Sequence, residues 1–333
     1  MSSFKSILTD DVITSTDAYV TNTFTGTTGS LTTFITSSTQ ISSSTGTFFY
    51  DIYPSTALTS SSDVQFTLSY GNAAGSGSTD GYSTVPGSTP SKSIYGQYRS
   101  LRYGDENANF TFGTIQSDEI YVINMDRSRY KERLEEGNWT IVLADGSNKI
   151  HLTDDSSVSG STAIISNVGR IYNIISGSGG IAAASQLGSV SGSYGMFLPD
   201  AGLYILNPKI LRLSFANGGL SIPQITGSLT GSVQCNNLYT KLNTFTQRSE
   251  ETLTSKFYFV RLRSSEFNYT TNPTLVNTAG TINSQALINN PVTFLTTVGL
   301  YNDSGDLLAV AKTSKPVQKD FTKELLLRVK LSY

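Results

Sequence analysis

The chain holds one histidine, His151, and one cysteine, Cys235. A Ser/His/Asp relay needs an imidazole to take a serine proton and a carboxylate to orient that imidazole. His151 lies close in sequence to Asp154 and Asp155, and serines are abundant, but no spacing selects a nucleophile. The expected role of His151 is therefore a half-exposed strand residue. Structural zinc wants four Cys or His ligands, which one of each cannot supply. The adjacent acids Asp118/Glu119, Glu135/Glu136 and Asp154/Asp155 are the remaining acid–base candidates. Neighbours on a strand point to opposite faces, so no such pair converges locally. Asn302-Asp303-Ser304-Gly305-Asp306 has the residue types of a calcium loop without EF-hand spacing and reads as a hairpin turn. Ser176-Gly177-Ser178-Gly179-Gly180 lacks the Lys-Ser/Thr end of a phosphate-binding loop and the Rossmann spacing. Cys235, between Gln234 and Asn236, reads as a buried thiol. The expectation is a protein that is not an enzyme, with no catalytic, cofactor-binding or metal-binding residues.

Such residues must be carried by something, and composition says what. The 333 residues include 48 Ser, 42 Thr, 29 Gly, 18 Tyr and 16 Phe, while charged residues make up only 14%. Thr, Tyr and Phe favour the pleated, half-buried surface of a strand, and Ser and Gly serve turns. Disordered chains are poor in aromatics, so a folded, mainly β chain is expected. The net charge is −2 without a long basic run, so no nucleic-acid partner is expected. No window approaches the apolar length of a membrane span, and no apolar stretch follows Met1-Ser2-Ser3-Phe4-Lys5, so neither a membrane partner nor a secretory leader is expected. A single cysteine permits no intrachain disulfide.

Patterning sharpens the outline. Phe48–Tyr53 and Val64–Tyr70 read as strands. Val64, Phe66 and Leu68 alternate with Gln65, Thr67 and Ser69, which predicts one apolar face. The stretch 71–91 is Gly/Ser/Thr/Pro-rich and reads as a linker, or as an arm that orders against a neighbouring subunit. Strands are expected at Phe110–Phe112 and Ile120–Ile123, then a short helix over 126–136 capped by Asp126, stopped by Gly137, with Tyr130 and Leu134 on its buried face. Trp139–Leu143 and Lys149–Leu152 form a hairpin across Ala144–Asn148. Tyr204–Leu206 and Ile210–Phe215 read as strands around a turn at Asn207-Pro208. Lys256–Arg263, Phe294–Leu300, Leu307–Ala311 and Phe321–Tyr333 close the chain. In the last of these Leu325, Leu327, Val329 and Leu331 alternate with Arg328, Lys330 and Ser332. Loose Ser/Gly-rich segments, including 177–193, separate the patterned blocks. They give three regions: 1–91, an N-terminal β region with arm or linker; 92–200, a central β domain with the 126–136 helix; and 201–333, a C-terminal β domain. The fold expected is two or three β-sandwich or barrel-like sub-domains with one or two short helices. If the closing strand anchors the whole fold, truncation at Lys319 abolishes soluble expression.

Two groups of segments carry a resemblance. The first is Ser93 to Leu101, Gly104 to Phe110 and Ile120 to Lys131. The second is Glu266 to Pro273, Asn290 to Phe294, Thr297 to Asn302, Leu308 to Lys312 and the Lys330-Leu331-Ser332-Tyr333 end. Together they resemble a family of virion structural proteins of large contractile-tailed bacteriophages, cyanophages among them. The resemblance covers roughly the middle and last thirds of the chain, and the family supplies no catalytic residues. It implies a structural component of the tail baseplate, wedge-like or connector-like, assembled in the host bacterial cytoplasm. Its partners would be other virion tail proteins, in several copies within a symmetric assembly. A neck or collar protein at the head–tail junction, or a tail-fibre receptor-binding component, are the alternatives it leaves open.

Overall fold

In the computed structural model, residues 4–25, 29–36, 49–75, 91–183, 194–223, 231–269 and 272–333 are described. In chain order the elements begin β1 (Val12–Asn22), β2 (Ser30–Leu31), β3 (Phe49–Ile52), β4 (Phe66–Asn72), α1 (Ser91–Tyr103), β5 (Phe110–Phe112), β6 (Ile115–Ser117), β7 (Glu119–Met125) and β8 (Arg133–Leu134). They continue with β9 (Thr140–Asp145), β10 (Asn148–Asp154), β11 (Ile164–Ser166), β12 (Gly169–Ser178), β13 (Ile181–Ala182), β14 (Gly195–Leu198), β15 (Leu203–Leu206), α2 (Pro208–Leu211) and α3 (Gly231–Tyr239). The last are β16 (Leu242–Thr246), β17 (Arg248–Leu262), α4 (Gln285–Asn289), β18 (Thr293–Tyr301), β19 (Leu307–Lys319) and β20 (Leu325–Ser332). The protein is mainly β.

The chain forms two compact units, Tyr19–Glu251 and a second one made of Met1–Ala18 with Thr252–Tyr333. These bounds differ from 1–91, 92–200 and 201–333, and the pairing gives the reason. The large unit is organised by one antiparallel sheet in the order β2-β16-β9-β10-β12-β14-β15-β7-β4-β3. In it β7, from the central block, lies between β4 of the first block and β15 of the third. Ser/Gly-rich composition therefore does not mark boundaries between units. The arm expected over 71–91 lies, from 76 to 90, outside the described residues, as does 184–193 of the loose segment. At 91 the chain is already helical.

The middle of this sheet is covered on both faces. Tyr121, Ile123 and Met125 of β7 join one buried cluster, with Trp139, Phe197, Tyr204 and Phe245. Ile120 and Val122 join another, with Tyr95, Phe110 and Ile205. Strands buried on both faces read as continuous apolar runs, which is how Ile120–Ile123 and Leu203–Leu206 appear in sequence. The Trp139 ring lies 4.8 Å from Tyr204 and 5.2 Å from Phe197, and Tyr204 continues to Phe245 at 5.4 Å. Along Val64–Tyr70 the expected division into an apolar and a polar face fails. Gln65 and Ser69 are buried as well, Gln65 receiving the Thr25 N–H at 2.9 Å.

The helix expected over 126–136 is absent. Asp126 does cap, taking the Ser128 N–H at 2.9 Å, but the turn it starts is a single one, Arg127–Arg129. The Arg127 guanidinium donates to the carbonyls of Tyr130 and Lys131, fixing the chain in an extended course. Arg133 and Leu134 then pair with Glu250 and Ser249. Tyr130 and Leu134 are buried as expected, and Gly137 turns the chain at φ +72°. Ile210–Phe215 is not a strand either: Asn207 caps α2 by accepting the Lys209 N–H, with Pro208 at the first helical position, where its missing donor costs nothing. The hairpin β9–β10 forms as read, Asp145 facing Asn148 across Gly146 at φ +61°.

The 13-residue α1 is the principal helix among the described residues, and it packs where Gly71 of β4 leaves room. A Cβ on Gly71 would stand 2.8 Å from the Tyr95 backbone nitrogen. Tyr95 in turn donates its hydroxyl to Ser117 O at 2.8 Å and accepts the Phe110 N–H at 3.1 Å. Gly71→Ala is expected to cost about 1–3 kcal/mol, because backbone and not a pliant side chain must yield. Chemical unfolding of the variant beside the parent measures it.

Candidate assembly surface

Most of the acids singled out in the sequence are bonded within the protein. His151 is exposed on β10, beside a hollow of about 550 Å³ that is also lined by Lys149, Ser176, Ser178 and Ile181. No carboxylate lines it. Asp154 is turned into the protein, where it accepts the Gly137 N–H at 2.8 Å, the Ser156 N–H at 2.9 Å and the Trp139 indole N–H. Asp155 accepts the backbone and side-chain N–H groups of Asn173 at 3.0 and 2.8 Å. Neither Asp154 nor Asp155 is thus free to orient His151. In the Ser176–Gly180 loop, Gly179 N–H donates to Thr140 Oγ1 at 2.8 Å and Gly180 N–H to Thr153 Oγ1 at 2.7 Å. Those amides are the ones a phosphate would need.

The acid pairs diverge, although in each at most one member lies on a strand. Asp118 is exposed and bonded to Lys209, whose hydrogen bond holds its carboxyl below the usual range. Glu119 is buried against Arg212, two guanidinium nitrogens meeting its two oxygens, and takes the Tyr70 hydroxyl at 2.6 Å. Glu136 joins a chain of ion pairs with Arg133 and Arg170, which extends to Glu250 and Asp200. Burial pushes the Glu135 carboxyl up, while Asn138 donates to it at 2.8 Å. Cys235 is buried, its thiol pushed up by that burial, with Sγ 3.8 Å from Leu68 O. Asn302 and Asp306 satisfy each other across their turn, Asp306 N–H to Asn302 Oδ1 at 2.7 Å and Asn302 Nδ2 to the Asp306 carboxylate at 2.9 Å. Among the described residues no three acids, histidines or cysteines gather as metal ligands. Nor is any described helix long and apolar enough to cross a membrane.

The smaller unit is different in kind. Among the described residues Val260, Leu262, Val276, Leu300 and Val329 are its buried large apolar side chains. Against that thin interior stands the hairpin β18–β19, paired from Thr293↔Lys319 to Tyr301↔Leu307 and forming a two-stranded sheet of its own. Leu295, Val298, Leu300, Ala309 and Ala311 turn to its half-covered face. Its other face offers Phe294, Leu308 and Val310 at 61, 68 and 55% exposure, with Tyr301 and Leu307 leaning over Gly299. The N-terminal segment crosses within this unit. Phe4, itself exposed, packs edge-on to Tyr301 at 5.2 Å, and Lys5 pairs with Glu266 at 2.6 Å. At the base of the hairpin the Lys319 side chain is fully buried. Its ammonium donates to Ser264 O, Asn268 Oδ1 and Asp320 O at 3.0, 2.8 and 2.9 Å.

Two-stranded sheets are marginal alone in water, and large apolar side chains in solvent at both ends of one face, with exposed Thr297 and Lys312 between Val310 and Phe294, are uncommon on a finished surface. The hairpin is therefore the candidate assembly surface. Its strands and turn are legible in the sequence. Its exposure is not, because alternation says which residues share a face without saying whether anything covers it. Lys319 is missed altogether, since lysine is almost never fully buried. Comparison with protein families, with curated proteins and with solved structures finds no match to the chain.

Proposed function

We propose that this chain is a structural, non-enzymatic component of a phage tail baseplate, wedge-like or connector-like, which links neighbouring virion subunits. The observation that carries the reading is the outer face of β18–β19: Phe294, Leu308 and Val310 stand in solvent on a sheet with little interior of its own. Permanent assemblies bury such faces between chains, and obligate interfaces resemble a domain core cut in two. The resemblance of Thr297–Asn302 and Leu308–Lys312 to virion tail proteins falls on these two strands. The commitment of Asp154, Glu119 and the Gly179 and Gly180 amides to other roles fits a mechanical task better than turnover.

The test is location. Antibody to the chain, applied to purified particles made by the genome that encodes it, is expected to mark the tail end far from the head. Label at the head–tail junction would favour a neck or collar part, and label on the fibres a receptor-binding one. Absence from purified particles defeats the reading. The hairpin gives a second expectation. The variant carrying Leu308→Glu and Val310→Glu should fold, because both side chains already face water, yet be left out of particles by at least about tenfold. Each buried, unpaired carboxylate costs an interface more than the ~1.4 kcal/mol that a factor of ten requires.

A further inference from the structure

The second sheet of the smaller unit has the order β1-β17-β20, and among the described residues β20 pairs on one side only. The register Phe257↔Lys330, Phe259↔Arg328 and Arg261↔Leu326 sets one face as Phe257, Phe259, Arg261, Arg328, Lys330 and the exposed Leu326. The other face carries Val260, Leu262 and Val329, all buried, with Leu325 and Leu327 half-buried. The Arg328 guanidinium carbon lies 5.5 Å and Lys330 Nζ 5.6 Å from the centroid of the Phe257 ring. Arg261, Arg328 and Lys330 are exposed, and none forms an ion pair among the described residues. No acid lies within β20 itself.

We infer that the free edge of β20 is the docking site for an extended acidic segment of a partner protein, added as a strand with its carboxylates beside Arg328 and Lys330. The inference rests on the assembly reading and names a partner chemistry for it. Two arguments select the occupant. Residues two apart on a strand are about 6.8 Å apart, so an incoming chain with Asp or Glu at alternate positions meets Arg328 and Lys330 in step. Its intervening side chains fall on the apolar face, beside Val329 and Leu331. Basic residues on an edge strand repel most additions, and an acidic strand is the one that turns this guard into attraction. Nucleic acid fits less well. Base stacking needs a bare aromatic face, and two cations lie over Phe257.

The experiment uses the full-length chain and fluorescent peptides read by anisotropy. A short peptide alternating Glu and Val is expected to bind, more weakly as salt rises, because the pairs at this edge are exposed and screened. A Glu/Val peptide of equal charge, N-methylated at every residue, lacks the backbone donors for strand pairing and should bind at least about tenfold more weakly; that corresponds to ~1.4 kcal/mol. A Lys/Val peptide should not bind. Arg328→Gln with Lys330→Gln, which leaves the apolar face intact, should weaken the Glu/Val peptide by about tenfold, the scale of two lost charge pairs. Circular dichroism of that variant establishes that the sheet persists. Undiminished binding by it, equal binding of the N-methylated peptide, tighter binding of oligothymidylate, or no binding at all overturns the inference. The assembly reading falls separately: a chain that binds Glu/Val but is absent from particles defeats that reading alone. A chain present in particles that ignores Glu/Val defeats only the strand docking.

Discussion

Glu119→Ala is expected to destabilise the large unit by about 3–5 kcal/mol, the usual cost of leaving one member of a buried ion pair without the other. Glu119 is 3% exposed, and Arg212 holds both of its oxygens. Tyr70 also donates to it at 2.6 Å, and Asn72 donates to Tyr70 at 3.0 Å, so the carboxylate is the acceptor at the centre of a closed network. Removing it strands a guanidinium and a hydroxyl among Tyr70, Tyr121 and neighbouring apolar groups. Burial already pushes both tyrosine hydroxyls well above their ordinary range, so ionisation of either cannot relieve the stranded cation near neutral pH. Glu119→Leu combined with Arg212→Met removes both charges and is expected to lie within about 1.5 kcal/mol of the parent, so the cycle isolates a large coupling. Tyr70→Phe should cost about 1 kcal/mol, one net hydrogen bond. The readout is built in. Trp139 is the single tryptophan and lies fully buried in the large unit, so its fluorescence in urea follows that unit. A loss below about 1 kcal/mol for Glu119→Ala would show the pair to be solvated, contrary to this account.

This pair also shows where reading the sequence stops. That Asp118 and Glu119 diverge is expected from strand alternation, although Asp118 lies in the bend between β6 and β7 and only Glu119 is on a strand. That Glu119 meets Arg212 is not: the partners are 93 residues apart, and Arg212 lies in a stretch whose apolar pattern imitates a strand. Asn207 and Pro208 hold the cue that was available, a capping side chain followed by proline, which starts a helix as readily as it makes a turn. The stretch 126–136 is the converse. Asp126 and Gly137 are sound punctuation for a helix, and Tyr130 and Leu134 are buried as a helix would bury them. The extended course is decided instead by Arg127 reaching the carbonyls of Tyr130 and Lys131 and by the pairing of Arg133 with Glu250. Local signals name the ends of a segment, while remote partners decide its conformation. The division into units escaped for the same reason. Strand pairing between β4, β7 and β15 joins distant stretches of chain, and the N-terminal segment belongs with the C-terminal one.

A chain ended at Lys319 is expected to keep the cooperative transition of the large unit and to lose the fold of the small one. This narrows the expectation, from the alternating C-terminal strand, that such a truncation abolishes soluble expression. β20 pairs with β17 from Ser255↔Ser332 to Leu262↔Leu325, and Val329 is one of the few buried apolar residues of its unit. Without it Val260 and Leu262 are uncovered, and three such side chains at roughly 1.5–3 kcal/mol each exceed what so thin an interior can spare. Both buried clusters of the large unit, by contrast, draw on residues from Phe24 to Phe245, and none of them lies in the segment removed. Fluorescence of Trp139 should therefore report a midpoint within about 4 °C of the full chain, since ~1 kcal/mol moves a unit of this size by 2–4 °C. Limited proteolysis should meanwhile cut freely between Thr252 and the new end. Loss of the Trp139 transition would mean that the closing strand supports the whole chain after all. Its persistence would make the small unit a dependent appendage. Its interior is thin, and the apolar side chains it leaves bare are the ones the proposed assembly would cover.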